Sequence, residues 1–255
     1  MTVKVSHSGI VSTICLTAPP QNLLTIEIMD ALVEAHREAD AHGETRVILT
    51  TSGVENIFSN GLDPMYVLER NDQDRRLIFK GVGRLLHGLY SLGKPHICKI
   101  NGPAMAGGAI MAIPADFRYF HKEQGRMSFA EVKVGLPIPE ALVEVIRGVV
   151  RPHYLKNVVM MAGNLDAEMA LDAGLADGVA SGDQLDELIE KQIGRLSRLS
   201  PSVLRATKNS MRRRVLEMTR VFQNGDPNFD QFVGDQFLGE GLRALVEGRF
   251  PNFNL

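Results

Sequence analysis

The stretch His96-Ile97-Cys98-Lys99-Ile100-Asn101-Gly102-Pro103-Ala104-Met105-Ala106-Gly107-Gly108-Ala109-Ile110 constrains this chain more than any other. Its opening apolar run reads as a buried strand, Asn101-Gly102-Pro103 as a turn, and the segment from Gly107 as a helix whose first amides no side chain shields. Those amides have no partner inside the helix and share the positive end of its dipole, so an oxygen carrying negative charge suits them. Taken alone, the glycine pair reads first as a device for packing helix closely on strand. A second stretch shifts that balance. Ile57-Phe58-Ser59-Asn60-Gly61-Leu62-Asp63-Pro64 follows another apolar run, Arg46 to Thr51. Two strand-then-glycine units can bring two backbone amides to a common point, as an enolate or a tetrahedral oxyanion requires.

The rest of the chain narrows the setting. A length of 255 residues permits one large domain or two small ones, with a sizeable core either way, and one catalytic domain with a helical C-terminal extension is expected. With 44% hydrophobic and 23% charged residues the composition is that of a soluble globular protein, and a net charge of −2 offers no general attraction to nucleic acid or an anionic membrane. No apolar run reaches membrane-spanning length, and the N-terminus has neither a signal-peptide nor a transit-peptide pattern, so a cytoplasmic location is expected. Cys15 and Cys98 each fall within an expected strand, and no metal-ligand spacing surrounds them. Reduced, buried thiols and no bound metal are expected.

Taken in order, Val3 to Ser6 and Ile10 to Leu16 flank His7-Ser8-Gly9 as a hairpin, which Pro19-Pro20 stops. Thr25 can cap a helix with Ile28, Leu32, Ala35 and Ala39 on one face, ending by Gly43. The run Glu69 to Arg76 is strongly polar and mixed in sign, and reads as a solvated, mobile segment. From Leu77 the spacing of Ile78, Val82, Leu85, Leu86 and Leu89 is helical, closed by Gly93-Lys94-Pro95. Phe117 to His121 and Arg126 to Phe129 bracket Lys122-Glu123-Gln124-Gly125 as a second hairpin-like unit. The remainder is mostly helical, with Pro139, Pro152 and Pro201 suited to first helical turns and Gly163 and Gly174 to helix ends.

Three blocks, Phe58-Ser59-Asn60-Gly61-Leu62-Asp63, Asn101 to Gly108, and Phe129-Ala130-Glu131-Val132-Lys133-Val134-Gly135-Leu136, stand in the order and at about the spacing of the crotonase family, the enoyl-CoA hydratases and isomerases, which the chain resembles. The resemblance implies an α/β fold, a spiral of ββα units with a helical C-terminal region. It places the catalytic core at 1–198 and a helical extension, with the family's oligomer contacts, at 199–255. A homotrimer or dimer of trimers would follow. It also implies an acyl-CoA thioester substrate, with coenzyme A as part of that substrate and no separate cofactor. Matched residue by residue, the two oxyanion amides fall on Leu62 and Gly107. Gln21, Asn22 and Leu23 lie along the coenzyme A moiety, with Asn60, Gly61, Gly108 and Ile110 completing the substrate contacts.

Hydratases of this family pair two glutamates, and this chain keeps one. Glu131 matches the second; the first would stand three residues after Gly107, where the chain has Ile110 among Ala109, Met111, Ala112 and Ile113. An exposed glutamate near ~4.3 is a weak base at neutral pH, and an apolar pocket raises it. Hydration needs a water oriented and deprotonated as well as a proton delivered, so a single carboxylate suits moving a proton from C2 to C4 of a 3-enoyl-CoA. An acyl-CoA double-bond isomerase is therefore expected, with a hydratase and a non-catalytic CoA-ester-binding protein as the alternatives. Glu140, directly after Pro139, is a possible second acid but suits a helix first turn better. His87, His96, His121 and His153 form no nucleophilic motif, and Arg212-Arg213-Arg214, Lys208 and Arg249 are candidate phosphate contacts, although the arginine run suits a solvated helix face better.

Overall fold

Short β-branched runs alternating with amphipathic helices set the course of the chain, described over residues 2–254 in a computed structural model. In order the elements are β1 (Val3–Ser8), β2 (Val11–Leu16), β3 (Leu23–Leu24), α1 (Ile26–Ala41), β4 (Val47–Ser52), β5 (Gly61–Leu62), α2 (Pro64–Leu68) and α3 (Asp72–Tyr90). Then come β6 (His96–Ile100), β7 (Pro103–Met105), α4 (Gly107–Ala112), β8 (Phe117–His121), β9 (Arg126–Ser128), a 3-10 turn at Glu131–Val134, α5 (Glu140–Arg147) and α6 (Leu155–Val159). The last part holds β10 (Leu165–Asp166), α7 (Ala167–Ala173), β11 (Gly178–Ala180), α8 (Asp183–Leu196), α9 (Pro201–Asn224), α10 (Pro227–Val233) and α11 (Gln236–Glu247).

One long strand, one short strand and a helix recur: β2-β3-α1, β4-β5-α2, β6-β7-α4, and β8-β9 leading to the 3-10 turn. The long strands form a six-stranded sheet in the order β1-β2-β4-β6-β8-β11, in which only β1 runs antiparallel to its neighbour. The short strands pair separately, β3 with β5, and β9 with β7 on one side and β10 on the other. This is the spiral of ββα units, and its successive turns place the ends of β5 and β7 side by side.

Thr25 caps α1 as expected, its hydroxyl accepting from the Ile28 amide. The polar run Glu69 to Arg76 is not a loose segment. Asn71 accepts from the Asp74 amide at 3.0 Å and starts α3 at Asp72, while Arg75 donates to the carbonyls of Val67 and Leu68, both at 3.1 Å. Polar residues there satisfy the orphan amides and carbonyls of two helix ends. The expected hairpin of β8 and β9 does not form either. β8 runs parallel to β6, and β9 runs parallel to β7, because each finds an open edge left by the previous turn of the spiral.

The C-terminal helices pack on this framework. Buried Lys208 of α9 donates to Asp116 Oδ2 at 2.6 Å and to the Lys94 carbonyl, and Arg212 donates to Asp116 Oδ1 at 2.7 Å. A Cβ on Gly83 of α3 would stand 2.8 Å from the Phe222 carbonyl oxygen, so α3 and α9 meet backbone to backbone at a residue without a side chain. None of the described helices is long and apolar enough to cross a membrane.

Candidate active site

The two glycine-bearing loops are stitched together. The amides of Phe58 and Ser59 donate to the Pro103 carbonyl at 3.1 and 3.0 Å, and the Met105 amide returns a bond to the Ser59 carbonyl at 2.9 Å. Beyond this ladder, Gly61 takes φ +82°, and a Cβ there would lie 2.7 Å from both the Gly107 nitrogen and the Met105 oxygen. Only glycine permits that approach. Gly108 is pressed against the Ser59 carbonyl in the same way. As a result Leu62 and Gly107 face one space: a Cβ on Gly107 would stand 3.3 Å from the Leu62 nitrogen. The Gly107 amide opens α4 after Ala106, which has φ +45° and supplies no side-chain cap. A helix-start N–H of this kind has no partner within its own helix.

The third loop enters through the Ala106 amide, which donates to the Ser128 carbonyl at 2.8 Å. Phe129, fully buried, anchors the chain just before Glu131 begins its 3-10 turn. Gly135 ends the turn in the left-handed region at φ +78°, where a Cβ would stand 2.8 Å from the Phe237 backbone. The turn is thus clamped under the start of α11. Glu131 is 8% exposed, and its Oε2 is buried without a hydrogen-bond partner among the described residues. Burial of the carboxylate raises its pKa from 4.5 to about 7.

Leu62, Gly107, Ile110 and Glu131 line one cavity of about 640 Å³, together with Gln21, Leu23 and Asn60 at its polar rim. Glu131 is the one acid among these lining residues, and Lys133 the only other ionisable group. Ile110, 5% exposed, occupies the wall where the paired acid of a hydratase is expected. Among the described residues no cluster of His, Cys, Asp and Glu could hold a metal ion.

Four expected site residues are not among those that line the cavity. Asn22 is fully buried and outside the cavity wall; its side chain accepts from the Ala18 amide at 2.7 Å and donates to Ser52 Oγ and the Phe58 carbonyl, so it ties the segment after β2 and the end of β4 to the loop before β5. Gly61 and Gly108 act through close backbone approach and not as walls. Glu140 is exposed at the first position of α5, outside the cavity. Lys208 and Arg212 are ion-paired to Asp116, and Arg249 to Glu240, and none of the three is among the residues lining the cavity. Both cysteines are free, and burial pushes the Cys98 thiol up to about 12. The sequence reading missed Phe79 and Val82 of α3, Phe222 of α9, Phe229 of α10 and Leu242 of α11, which complete the wall. Their helical spacing is that of any core stripe, so no local signal marks them.

A family model described as enoyl-CoA hydratase/isomerase matches residues 6–255. A putative enoyl-CoA hydratase of Thermus thermophilus is 27% identical over 97% of this chain and 98% of its own length. The mitochondrial enoyl-CoA delta isomerase 1 of Rattus norvegicus is likewise 27% identical, over 90% of this chain and 80% of its own. A carnitinyl-CoA dehydratase of Salmonella typhi is 26% identical over 98% and 97%. Among solved structures, the human mitochondrial delta3-delta2-enoyl-CoA isomerase superposes with a TM-score of 0.91 at 21% identity, covering 97% of this chain and 98% of that one.

Proposed function

The chain belongs to the enoyl-CoA hydratase/isomerase family, the crotonases, and on that premise we propose that it moves the double bond of a 3-enoyl-CoA to the 2-position. The observation that carries this reading is the single acid of the cavity, Glu131, buried in the same space that Leu62 and Gly107 line, with Ile110 in place of a partner.

In the proposed reaction the thioester oxygen accepts from the Leu62 and Gly107 amides. The Glu131 carboxylate takes a proton from C2, and the electron pair of that C–H bond flows onto the thioester oxygen. Fixed backbone dipoles meet the growing charge without reorganising. The neutral Glu131 carboxylic acid then gives the same proton to C4 while the carbonyl re-forms, leaving the double bond between C2 and C3 and regenerating the carboxylate. No water is consumed and one carboxylate suffices. A pKa near 7 suits a group that must both take and return a proton near neutrality. The rate rises as pH passes upward through about 7, because the base acts ionised.

Water addition to a 2-enoyl-CoA is the second reading, kept by relatives named hydratase and dehydratase at similar identity. Incubation with 3-enoyl-CoA and, separately, 2-enoyl-CoA, followed by product identification, separates the two. Formation of 2-enoyl-CoA from the first with slow hydration of the second is expected. Fast formation of 3-hydroxyacyl-CoA would overturn the isomerase reading, and tight binding without turnover of either substrate would point to a CoA-ester-binding protein.

A further inference from the structure

The cavity is lined by polar Gln21 and Asn60, by Glu131, Gly107 and Ile110, and by apolar side chains from α3, α9 and α10. Three phenylalanines there are almost completely buried: Phe79 at 6%, Phe222 at 4% and Phe229 at 4% exposed. Phe229 stands between the other two, its ring centroid 5.4 Å from Phe79 and 5.6 Å from Phe222, with interplanar angles of 68° and 80°. Such edge-to-face contacts hold each ring in place beyond what burial alone supplies. The helices behind them are locked as well, since Gly83 leaves no space between α3 and α9, and Asp226 caps α10 through the Asn228 amide at 3.0 Å.

We propose that Phe79, Phe222 and Phe229 form the end wall of the acyl site and set the longest acyl chain it accepts. This rests on the acyl-CoA reading of the same cavity. A space of about 640 Å³ is the size of a single small-molecule site, and the thioester and the arm beside Gln21 and Asn60 take part of it, so the acyl chain it encloses is limited in length. A terminal carboxylate or hydroxyl is excluded from this end, where an unpaired polar group would be buried. One other route exists. Leu245 and Val246 of α11 also line the cavity and are 58% and 48% exposed, so a chain leaving past α11 would meet no stop.

The two routes differ in how affinity depends on length. Calorimetric titration with saturated acyl-CoAs from butyryl to palmitoyl reads this without any turnover, so failure of the isomerase assignment would leave the result intact. Each methylene that enters apolar space contributes about 0.8 kcal/mol, or roughly fourfold in affinity. The expected result is a gain of up to that size per methylene followed by a break, with affinity falling for longer chains. Phe229→Ala moves the break to longer chains by roughly two to four carbons, the length its vacated volume accommodates. Phe229→Leu, which keeps the site filled and guards against loss of folding, moves it in the same direction by less. Val82→Phe, which adds bulk to the α3 wall one turn from Phe79, shortens the limit. Affinity that climbs through palmitoyl without a break, or a break that stays in place in every folded variant, would overturn the proposal in favour of exit past α11.

Discussion

Replacing Glu131 by Gln tests the site through two independent readouts. The amide keeps the shape of the side chain but cannot accept a proton, so isomerisation should fall by the roughly 100- to 10,000-fold attributable to a positioned general base. The same change should stabilise the fold. In the unfolded chain the carboxyl titrates near 4.5, and in the cavity at about 7. Between those values the native state binds more protons than the unfolded one, so stability declines as pH rises from 4.5 and levels off above about 7. That interval corresponds to roughly 3 kcal/mol, the cost of holding a charge at Oε2 with no partner. Glutamine carries no such charge. Near neutrality and above, the variant should therefore unfold several degrees higher than the parent, at roughly 2 to 4 °C per kcal/mol for a chain of this size, and the gap should shrink toward pH 5. Isomerisation is followed by the ultraviolet absorbance of the conjugated thioester and unfolding by circular dichroism at pH 5 and pH 8. A melting difference of the same size at both pH values would refute the buried-charge reasoning, and retained activity would move the base away from Glu131.

Gly107→Ala would push a methyl group to 3.3 Å from the Leu62 nitrogen and 3.2 Å from Leu24 Cδ1, and the turnover rate should fall roughly 100- to 1000-fold, as for loss of an oxyanion donor; an unchanged rate would remove these amides from the mechanism. Asp116→Asn leaves Lys208 charged and buried without its counter-ion and should destabilise by about 3 to 5 kcal/mol, read as a lower urea midpoint; a shift below ~1 kcal/mol would show that Lys208 finds another partner. His36 donates from Nδ1 to the Leu32 carbonyl and accepts from Thr50, whose oxygen then accepts from His96 Nε2, so both buried rings are held neutral and His96 Nδ1 is left bare. Burial lowers His36 to about 4 and His96 well below its usual value, so the unfolded chain binds the extra protons and stability should fall as pH drops from 6.5 toward 4; the Glu131→Gln background removes the opposing titration, and a flat unfolding midpoint over that range would contradict it.

The features legible along the chain were those that chemistry ties to local residues. Two backbone amides can reach one point only if the loops carrying them approach at glycine, and Gly61, Gly107 and Gly108 advertised that approach before any contact was known. The strand-then-glycine units, the cap at Thr25 and the single carboxylate of a cavity that also holds Ile110 are readable for the same reason: each is a short-range pattern with one physical explanation. Tertiary structure alone decided what those patterns meet. β8 and β9 are neighbours in sequence joined by a turn-like segment, yet each pairs with the strand edge offered by the previous turn of the spiral, a choice made by distant partners. The segment from Glu69 to Arg76 looked solvated because its charges have no local partners, while folding supplies helix ends for Asn71 and Arg75 to satisfy. Arg212 and Lys208 were ambiguous until Asp116, far away in sequence, claimed both. The acyl wall shows the limit most plainly. Phe79, Phe222 and Phe229 carry the ordinary apolar spacing of helices, and only the docking of α9 and α10 against α3 converts three core-like rings into one end of a cavity, because what a buried side chain faces is set by packing between elements and not by the pattern within one.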